Sequence, residues 1–276
     1  MRNTAKLTTA VLAAGALALG LTACGSGSSS ATHDHSGPLV VAASPTPHAE
    51  ILDFVEKNLA KKAGLDLQVK EFTDYITPNT ATEDGSVDAN YFQNQPYLDD
   101  FNKKRGTHIV PVVTVHLEPL GLYSHKVKKA DALKSGATIA VPNDAVNEAR
   151  ALKLLADNGL IALKPGAGNE ATPQDITKNP KKLRFKEVEA AQTPRSLDDV
   201  DAAVINGNYA ISAGLKPAQD AVVLESAKNN PYGNFLAVKK GNENDPRVKK
   251  LAKLLTSPEV KKFIEDKYQG SVIPSF

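Results

Sequence analysis

From residue 38 onwards, short β-rich runs alternate with amphipathic helical stretches, and this alternation constrains the fold more than any other feature of the sequence. The run LVVAAS predicts a buried strand. A helix is predicted over 45–64, because apolar residues recur at helical spacing between Ile51 and Leu59 and Gly64 ends the pattern. DLQVKEF predicts the next strand. A strand, a helix and a second strand at the outset indicate an α/β domain.

The same alternation continues to the end of the sequence. DYITPNT predicts a turn, and KVKKADALKSG and RSLDDV predict short helices. Longer helices are predicted over PYLDDFNKKRG and over VNEARALKLLADNG, the second capped by Asn143 or Asp144. Strands are predicted over VDANYF, ATIAVPND, LRFKEVEA, AAVIN, DAVVLES and NFLAVKKG, and two amphipathic helices close the sequence.

Two β-rich passages, 118–124 and 229–238, are candidates for crossovers between two lobes. We therefore expect a first lobe over 38–120, completed by 235–276, and a second lobe over 121–234. A ligand would bind in the cleft between them, where strand ends meet helix starts.

The first 23 residues predict an export signal. A positive start is followed by an apolar run of about ten residues, which is shorter than the roughly 20 that a membrane span needs. LTAC, ending at Cys24, resembles the lipobox of bacterial lipoproteins, and that resemblance implies cleavage before Cys24 and its acylation, including palmitate. An ordinary signal peptide with a coincidental cysteine is the alternative, but Cys24 is the single cysteine of the chain. Residues 24–37 are small and polar and predict a flexible tether.

Composition excludes some classes of function. The sequence has 33 basic and 31 acidic residues, interspersed, which does not predict nucleic-acid binding. GxSxG, HExxH and glycine-rich phosphate loops do not occur in it. We therefore expect neither an enzyme nor a cofactor. His33, His35, His48 and His116 leave a metal-binding lipoprotein as an alternative.

Three polar residues follow buried runs and are candidates for a ligand site. Arg150 lies in the helix after ATIAVPND, where its planar fork could bind a carboxylate, although a surface arginine has the same local pattern. Asn206 ends AAVIN and could either face a cleft or cap the next helix. Asn234 enters a strand of the second crossover and could equally be a turn residue.

The segment YFQNQPYL concentrates rings in a chain that is only 5% aromatic. Tyr91, Phe92 and Tyr97 lie among amides, including Asn94, which suits a pocket for a ligand that is part apolar and part polar. The alternative is that the rings pack in the core beside Pro96. Tyr75, in DYITPN, predicts a half-buried tyrosine at the end of a strand.

Several stretches together resemble the NlpA family of methionine-binding lipoproteins, the substrate-binding components of methionine ABC transporters. They are SPTPHAEIL, DYITPN, VDANYFQNQPYL, IAVPND with NEAR, PRSLDDVDAAVINGNYA and SPEVKKFIEDKYQGSVIPSF. The resemblance spans essentially all of the sequence after the tether. It implies a two-lobed, periplasmic-binding-protein-like (type II) α/β fold with the ligand cleft between the lobes.

The resemblance also implies roles for the candidate residues. Arg150 would bind the ligand carboxylate, and Asn206 and Asn234 would hold its α-amino and carboxylate groups. Tyr75, Phe92 and Tyr97 would surround the side chain, since rings suit a thioether sulfur.

The implied partners are L-methionine, an ABC permease with its ATPase, and the cell membrane, on whose extracytoplasmic face the lipid anchor would hold the protein. One residue departs from the family pattern: Asn94 stands where the family has histidine after FQ. This departure leaves a methionine-containing dipeptide or another apolar amino acid as alternative ligands.

Overall fold

The structure is a computed structural model that describes residues 37–276. The predicted signal peptide, Cys24, His33, His35 and all but the last residue of the predicted tether lie outside the described residues. Within the described part of the chain, none of the helices has the length and apolar character needed to cross a membrane.

Within residues 37–276, thirteen strands form two main sheets and a small hairpin. In chain order the strands are β1 Leu39–Ala43, β2 Leu67–Glu71, β3 Ala89–Asn94, β4 Ile109–Leu117, β5 Gly121–Tyr123, β6 Thr138–Pro142, β7 Ala162–Leu163, β8 Ile176–Lys178, β9 Arg184–Val188, β10 Ala202–Ile205, β11 Val223–Leu224, β12 Gly233–Lys239 and β13 Ile273–Pro274.

The first sheet has the order β13-β4-β12-β3-β1-β2 and the second the order β11-β5-β10-β6-β9. In the first sheet β1 runs parallel to β2 and β3, whereas β12 lies antiparallel between β3 and β4. In the second sheet β6 runs parallel to β9 and β10. The first sheet thus takes strands from both ends of the described chain, and the second sheet takes strands from its middle. The lobe boundaries given above stay a prediction.

Eight α-helices in the described part of the chain flank these sheets. They are α1 Glu50–Val55, α2 Thr77–Asp84, α3 Gln95–Arg105, α4 Ala145–Asp157, α5 Gly207–Ser212, α6 Pro217–Asp220, α7 Pro246–Leu255 and α8 Pro258–Tyr268. Each sheet has its own apolar core. Leu52 of α1 and Leu251 of α7 are fully buried in the core of the first sheet, and Leu152 and Leu155 of α4 are buried in that of the second.

The structure differs from the sequence prediction in four elements. The helix predicted over 45–64 is broken: α1 is flanked by π-helical turns, and Thr46 has extended backbone angles. The stretch predicted as a turn at 74–80 leads into α2, because the Asp74 carboxylate accepts the N–H groups of Ile76 and Thr77 and so starts the helix. The helix predicted over 126–136 is only a 3-10 turn, Ala130–Ala132, and DAVVLES forms only the two-residue strand β11.

Other local predictions match the structure. Asp144, one of the two predicted caps, precedes α4 and accepts the N–H of Asn147 at 3.0 Å. The two closing amphipathic helices correspond to α7 and α8.

Candidate functional site

All seven predicted ligand residues line one cleft. Its empty space, including the open mouth, is about 360 Å³. The lining residues are Tyr75, Phe92, Gln93, Asn94, Tyr97, Glu118, Asn147, Arg150, Asn206, Gly207, Asn208 and Asn234.

One wall of the cleft is aromatic. The ring centroids of Tyr75, Phe92 and Tyr97 lie 5.7–6.2 Å from one another, in tilted and edge-on arrangements that suit aromatic packing. The Tyr97 hydroxyl donates to the backbone carbonyl of Tyr75 at 3.0 Å, which fixes the Tyr97 ring. Burial raises the pKa of both hydroxyls, so both remain neutral. Tyr91, the third ring of the cluster, does not line the cleft; its hydroxyl hydrogen-bonds to His116 in the core.

Asn94 ends β3 and caps α3. Its side-chain oxygen accepts the backbone N–H of Tyr97 at 3.2 Å, an N-cap for which asparagine is among the preferred residues. The residue that departs from the family pattern therefore orients a ring of the cleft and lines the cleft as well.

Arg150 reaches the opposite, polar wall from α4. Its Nε donates to one oxygen of Glu225 at 2.9 Å, and its Nη2 donates to the other at 2.5 Å and to the Glu118 carbonyl at 3.0 Å. The guanidinium carbon also lies 4.0 Å from the ring centroid of Tyr232. Among residues 37–276, no acceptor is hydrogen-bonded to Nη1, so one edge of this buried cation is open to a ligand.

Burial alone would raise the pKa of Glu225, but the hydrogen bonds and charge of Arg150 outweigh it and lower that pKa below its usual value. Glu225 is therefore ionised at neutral pH. A ligand carboxylate would approach an arginine that already has one counter-ion.

Asn206 follows β10 and occupies the N-cap position of α5, as the capping alternative has it, but its side chain makes no cap hydrogen bond and lines the cleft. Its amide orientation is fixed by neighbours. Asn147 donates to the Asp144 carboxylate through Nδ2, which leaves Oδ1 of Asn147 to accept from Nδ2 of Asn206 at 2.8 Å. Oδ1 of Asn206 is buried and has no hydrogen-bond partner among the described residues. It is an acceptor that lacks a donor.

Asn234 lies in β12 directly opposite Asn94 of β3 and His116 of β4, so three neighbouring strands bring these side chains into a row. Its side-chain oxygen lies 3.1 Å from Nε2 of His48. The turn alternative does not hold, since Asn234 is a strand residue that is only 6% exposed.

His48, His116 and Glu118 form a buried cluster behind Asn234. Nε2 of His116 lies 2.8 Å, and Nε2 of His48 3.2 Å, from the same carboxylate oxygen of Glu118. These three side chains could hold a metal ion by proximity alone. Each imidazole nitrogen that faces the cluster is, however, already within hydrogen-bonding distance of the carboxylate. Of the four histidines named in the metal-binding alternative, the structure thus brings together His48 and His116.

Gly207 lets the two sides of the cleft approach closely. A Cβ on Gly207 would lie 2.7 Å from Cβ of Glu118 and 3.0 Å from its Oε2, closer than real side chains come. The start of α5 is thus pressed against Glu118.

The sequence analysis missed five residues that line the cleft: Gln93, Glu118, Asn147, Gly207 and Asn208. Gln93 belongs to a fully buried amide network in which its Nε2 donates to Asn79 and Asn90, at 2.7 and 2.9 Å. The run of amides in YFQNQPYL could have indicated Gln93 as a site residue from the sequence alone. Glu118 carried no such signal, because apart from His116 its partners lie far away along the chain.

Comparison with known proteins gives consistent results. The NlpA lipoprotein family model matches residues 39–276. "Methionine-binding lipoprotein MetQ" of Bacillus subtilis (strain 168) is 43% identical over 258 residues, which cover 92% of this chain and 93% of that protein.

Solved structures agree. A nutrient binding protein from Burkholderia cenocepacia bound to methionine has a TM-score of 0.84 and 49% identity, over 86% of this chain and 100% of that one. An ABC transporter periplasmic substrate-binding protein from Coxiella burnetii has a TM-score of 0.82 and 45% identity, over 86% and 100%. These likenesses confirm the predicted two-lobed, periplasmic-binding-protein-like α/β fold.

Proposed function

The chain belongs to the NlpA lipoprotein family, and from that membership we propose that it is a substrate-binding protein that captures L-methionine and delivers it to an ABC importer. The observation that carries the proposal is the division of the cleft into an aromatic wall and a polar wall. A relative of similar fold whose structure contains methionine supports the choice of ligand.

The aromatic wall suits the thioether end of methionine. Sulfur is polarisable and packs favourably against rings, by roughly 0.3–1.5 kcal/mol for each contact. Tyr75, Phe92 and Tyr97 supply three rings within one wall. Asn94 holds Tyr97 in place through the helix cap.

The polar wall suits the zwitterionic end, which would be costly to bury without partners. Arg150 binds the carboxylate through the open edge of its guanidinium. Asn206 offers an acceptor without a donor, and Asn234 supplies a second amide near the backbone of β12. The ligand contacts residues that follow strands of both sheets, so it stabilises the closed arrangement.

The role is binding and not catalysis. In this proposal Cys24 carries the lipid that anchors the protein to the extracytoplasmic face of the cell membrane, and residues 24–37 hold the binding domain away from the bilayer. The loaded protein docks on a permease whose ATPase drives import. The names of the relatives support the lipoprotein and ABC-transporter parts of this proposal.

The proposal is tested on the domain without its signal peptide. Small molecules released on denaturation are identified by mass spectrometry, and the refolded, ligand-free protein is titrated with L-methionine by calorimetry. We expect released methionine and one-to-one binding.

Arg150→Ala is expected to weaken binding by about 30-fold or more, because a buried charge partner is lost. Lys153→Ala is the matched control, since Lys153 is an exposed cation on the same helix that pairs with Asp157. Absence of heat with L-methionine, with binding of a dipeptide or another amino acid, would contradict the proposed ligand.

A further inference from the structure

The roles proposed so far use Arg150 but not its counter-ion, Glu225. The described chain passes between the two main sheets twice, over 118–120 and over 225–232, and Glu225 begins the second passage. Its backbone N–H donates to the carbonyl of Leu120 at 2.9 Å, and its Oε2 accepts the N–H of Leu120 at 3.2 Å. Glu225 is therefore fixed to both passages, which gives its carboxylate a defined position behind the polar wall of the cleft.

The carboxylate of Glu225 occupies a side of the Arg150 guanidinium that a ligand carboxylate would prefer. Arginine binds a carboxylate most strongly through two parallel N–H groups. One such pair, Nε with Nη2, donates to the two oxygens of Glu225 at 2.9 and 2.5 Å. A ligand carboxylate therefore cannot take this pair unless Glu225 moves away.

The second pair of N–H groups on Arg150 is interrupted as well. This pair is Nη1 with Nη2, and Nη2 also donates to the backbone carbonyl of Glu118 at 3.0 Å, which uses its remaining proton. The ring of Tyr232 covers one face of the guanidinium. Within residues 37–276, Nη1 alone is left without an acceptor. The ligand carboxylate thus meets one nitrogen of Arg150 and not a two-nitrogen fork.

The pair of Arg150 and Glu225 also has no net charge. The hydrogen bonds and charge of Arg150 lower the pKa of Glu225 below its usual value, although burial opposes that shift. The side chains of Arg150 and Glu225 are only 4% and 15% exposed, so water screens their charges weakly. A second carboxylate that approaches Arg150 is attracted by the guanidinium and repelled by Glu225.

We propose that Glu225 is a specificity-determining residue that restrains the binding of the ligand carboxylate, because it neutralises Arg150 and occupies two of its N–H groups. This inference rests on the proposed function and extends it to how strongly the site distinguishes a carboxylate from a neutral group. Glu225 acts through Arg150, since it is not among the residues that line the cleft. A restrained carboxylate contact shortens the time for which the ligand stays bound, which favours its release for import.

The test compares L-methionine with L-methioninamide, which keeps the amino group and the thioether but has a neutral amide in place of the carboxylate. Refolded, ligand-free protein is titrated with each compound by calorimetry, at a pH low enough to keep both amines protonated. Wild-type protein is expected to prefer L-methionine by no more than about 30-fold, because the neutral pair gains little from a charged group.

In Glu225→Gln we expect the affinity for L-methionine to rise about 10-fold, because the repulsion is removed and N–H groups of Arg150 become available. The affinity for L-methioninamide does not rise, so the preference for L-methionine increases by at least about 10-fold. Most of the gain is expected in the dissociation rate of L-methionine, which stopped-flow displacement measures. Circular dichroism and the unfolding temperature establish that each variant is folded.

Two further variants separate the effect of this charge from other effects. Glu225→Asp keeps the charge on a shorter side chain, so its preference stays closer to that of wild type than the preference of Glu225→Gln does. Asp157→Asn is the matched control, because Asp157 is an exposed acid on α4 that pairs with Lys153. It removes one negative charge from the helix that carries Arg150 and leaves the preference unchanged.

Three results would overturn the inference and leave the proposed function intact. The first is Glu225→Gln that binds L-methionine more weakly than wild type does, since Glu225 would then orient Arg150 for the ligand and not compete with it. The second is a preference in Glu225→Gln equal to that of wild type. The third is a wild-type preference far above 30-fold, which needs no variant. Wild-type protein that does not bind L-methionine would overturn the proposed function and the inference together.

Discussion

At the scale of single residues, His48 and His116 show how a buried polar group acquires a defined state. Both rings are neutral at neutral pH, since burial lowers the pKa of His48 to about 4 and of His116 to about 3. Their neutral N–H groups hold Glu118 in the wall of the cleft. The same burial couples the stability of the fold to pH.

We expect the free energy of unfolding of the ligand-free protein to fall as the pH is lowered from 6.5 to 4. In this window the unfolded chain binds protons at histidine that the folded chain does not, so acid favours unfolding. His48 alone contributes up to roughly 3 kcal/mol of this loss, from a pKa difference of about 2.5 units. Protonation of Glu118, whose pKa is raised, stabilises the folded protein in acid and so offsets a part of this loss. Urea unfolding at pH 7 and pH 4.5 measures the change.

The variant His48→Gln provides the control for this pH dependence. It is less stable than wild type at pH 7, because hydrogen bonds to Glu118 and Asn234 are altered, but it loses less stability on acidification. An equal loss of stability on acidification in both proteins would show that His48 is not the source of the pH dependence.

At the scale of elements, the segment between β2 and α2 is joined to α5 by two tyrosines. The Tyr75 hydroxyl donates to Oδ1 of Asn208 at 2.5 Å, and the Tyr209 hydroxyl donates to the carbonyl of Thr73 at 3.0 Å. The two rings also pack, with centroids 5.0 Å apart. The segment with Tyr75 follows β2 of the first sheet, and α5 follows β10 of the second sheet. These hydrogen bonds therefore hold the cleft closed.

Tyr209→Phe is expected to increase the dissociation rate of L-methionine by about 2- to 10-fold, the effect of one hydrogen bond of roughly 0.5–1.5 kcal/mol. Tyr209 is not among the residues that line the cleft, so the loss of its hydroxyl acts on closure. Stopped-flow displacement measures the rate.

Tyr123→Phe is the control for Tyr209→Phe. The Tyr123 hydroxyl is buried in the second sheet without a hydrogen-bond partner in the described part of the chain, so its removal leaves the rate unchanged. If L-methionine dissociates from Tyr209→Phe at the wild-type rate, the hydrogen bond to Thr73 does not limit opening of the cleft.

The elements that were predictable from the sequence are those with a strong local pattern. Helix α4 has a regular apolar face and its own cap, Asp144, and both were visible in the sequence. Helix α2 was missed because TPNTATED has almost no apolar periodicity; it is held by Asp74 at its start and by the contacts of Asn79 with Gln93.

The site was predictable where the family resemblance assigned residues, and it was not where distant segments meet. The six residues carried over from the family, and Asn94 where the family has histidine, all reach one cleft. The pairing of Arg150 with Glu225 joins residues 75 positions apart, and the contact of His48 with Asn234 joins residues 186 apart. Such pairs are set by sheet order, which local spacing does not encode.

At the scale of the whole molecule, ligand binding and folding are linked, because the proposed ligand bridges residues that follow strands of both sheets. At a concentration 100 times the dissociation constant, L-methionine is expected to stabilise the protein by about 2.7 kcal/mol. For a domain of this size that raises the unfolding temperature by roughly 5–10 °C. Thermal unfolding of refolded protein with and without L-methionine measures the shift.

Arg150→Ala is expected to show a much smaller shift at the same L-methionine concentration, whereas Lys153→Ala keeps the full shift. A wild-type unfolding temperature that does not respond to L-methionine at any concentration would contradict this linkage.

The position of β12 also bears on the order in which the chain can fold. This strand lies between β3 and β4, but it comes from residues 233–239, after the whole second sheet. A chain that is exported amino-terminus first cannot complete its first sheet until nearly all of it has been translocated. Up to that moment β4 lacks both its neighbours, since β13 is still later in the chain. For the export proposed above, this topology delays assembly of the cleft until β12 has emerged, because Asn234 of β12 lines it.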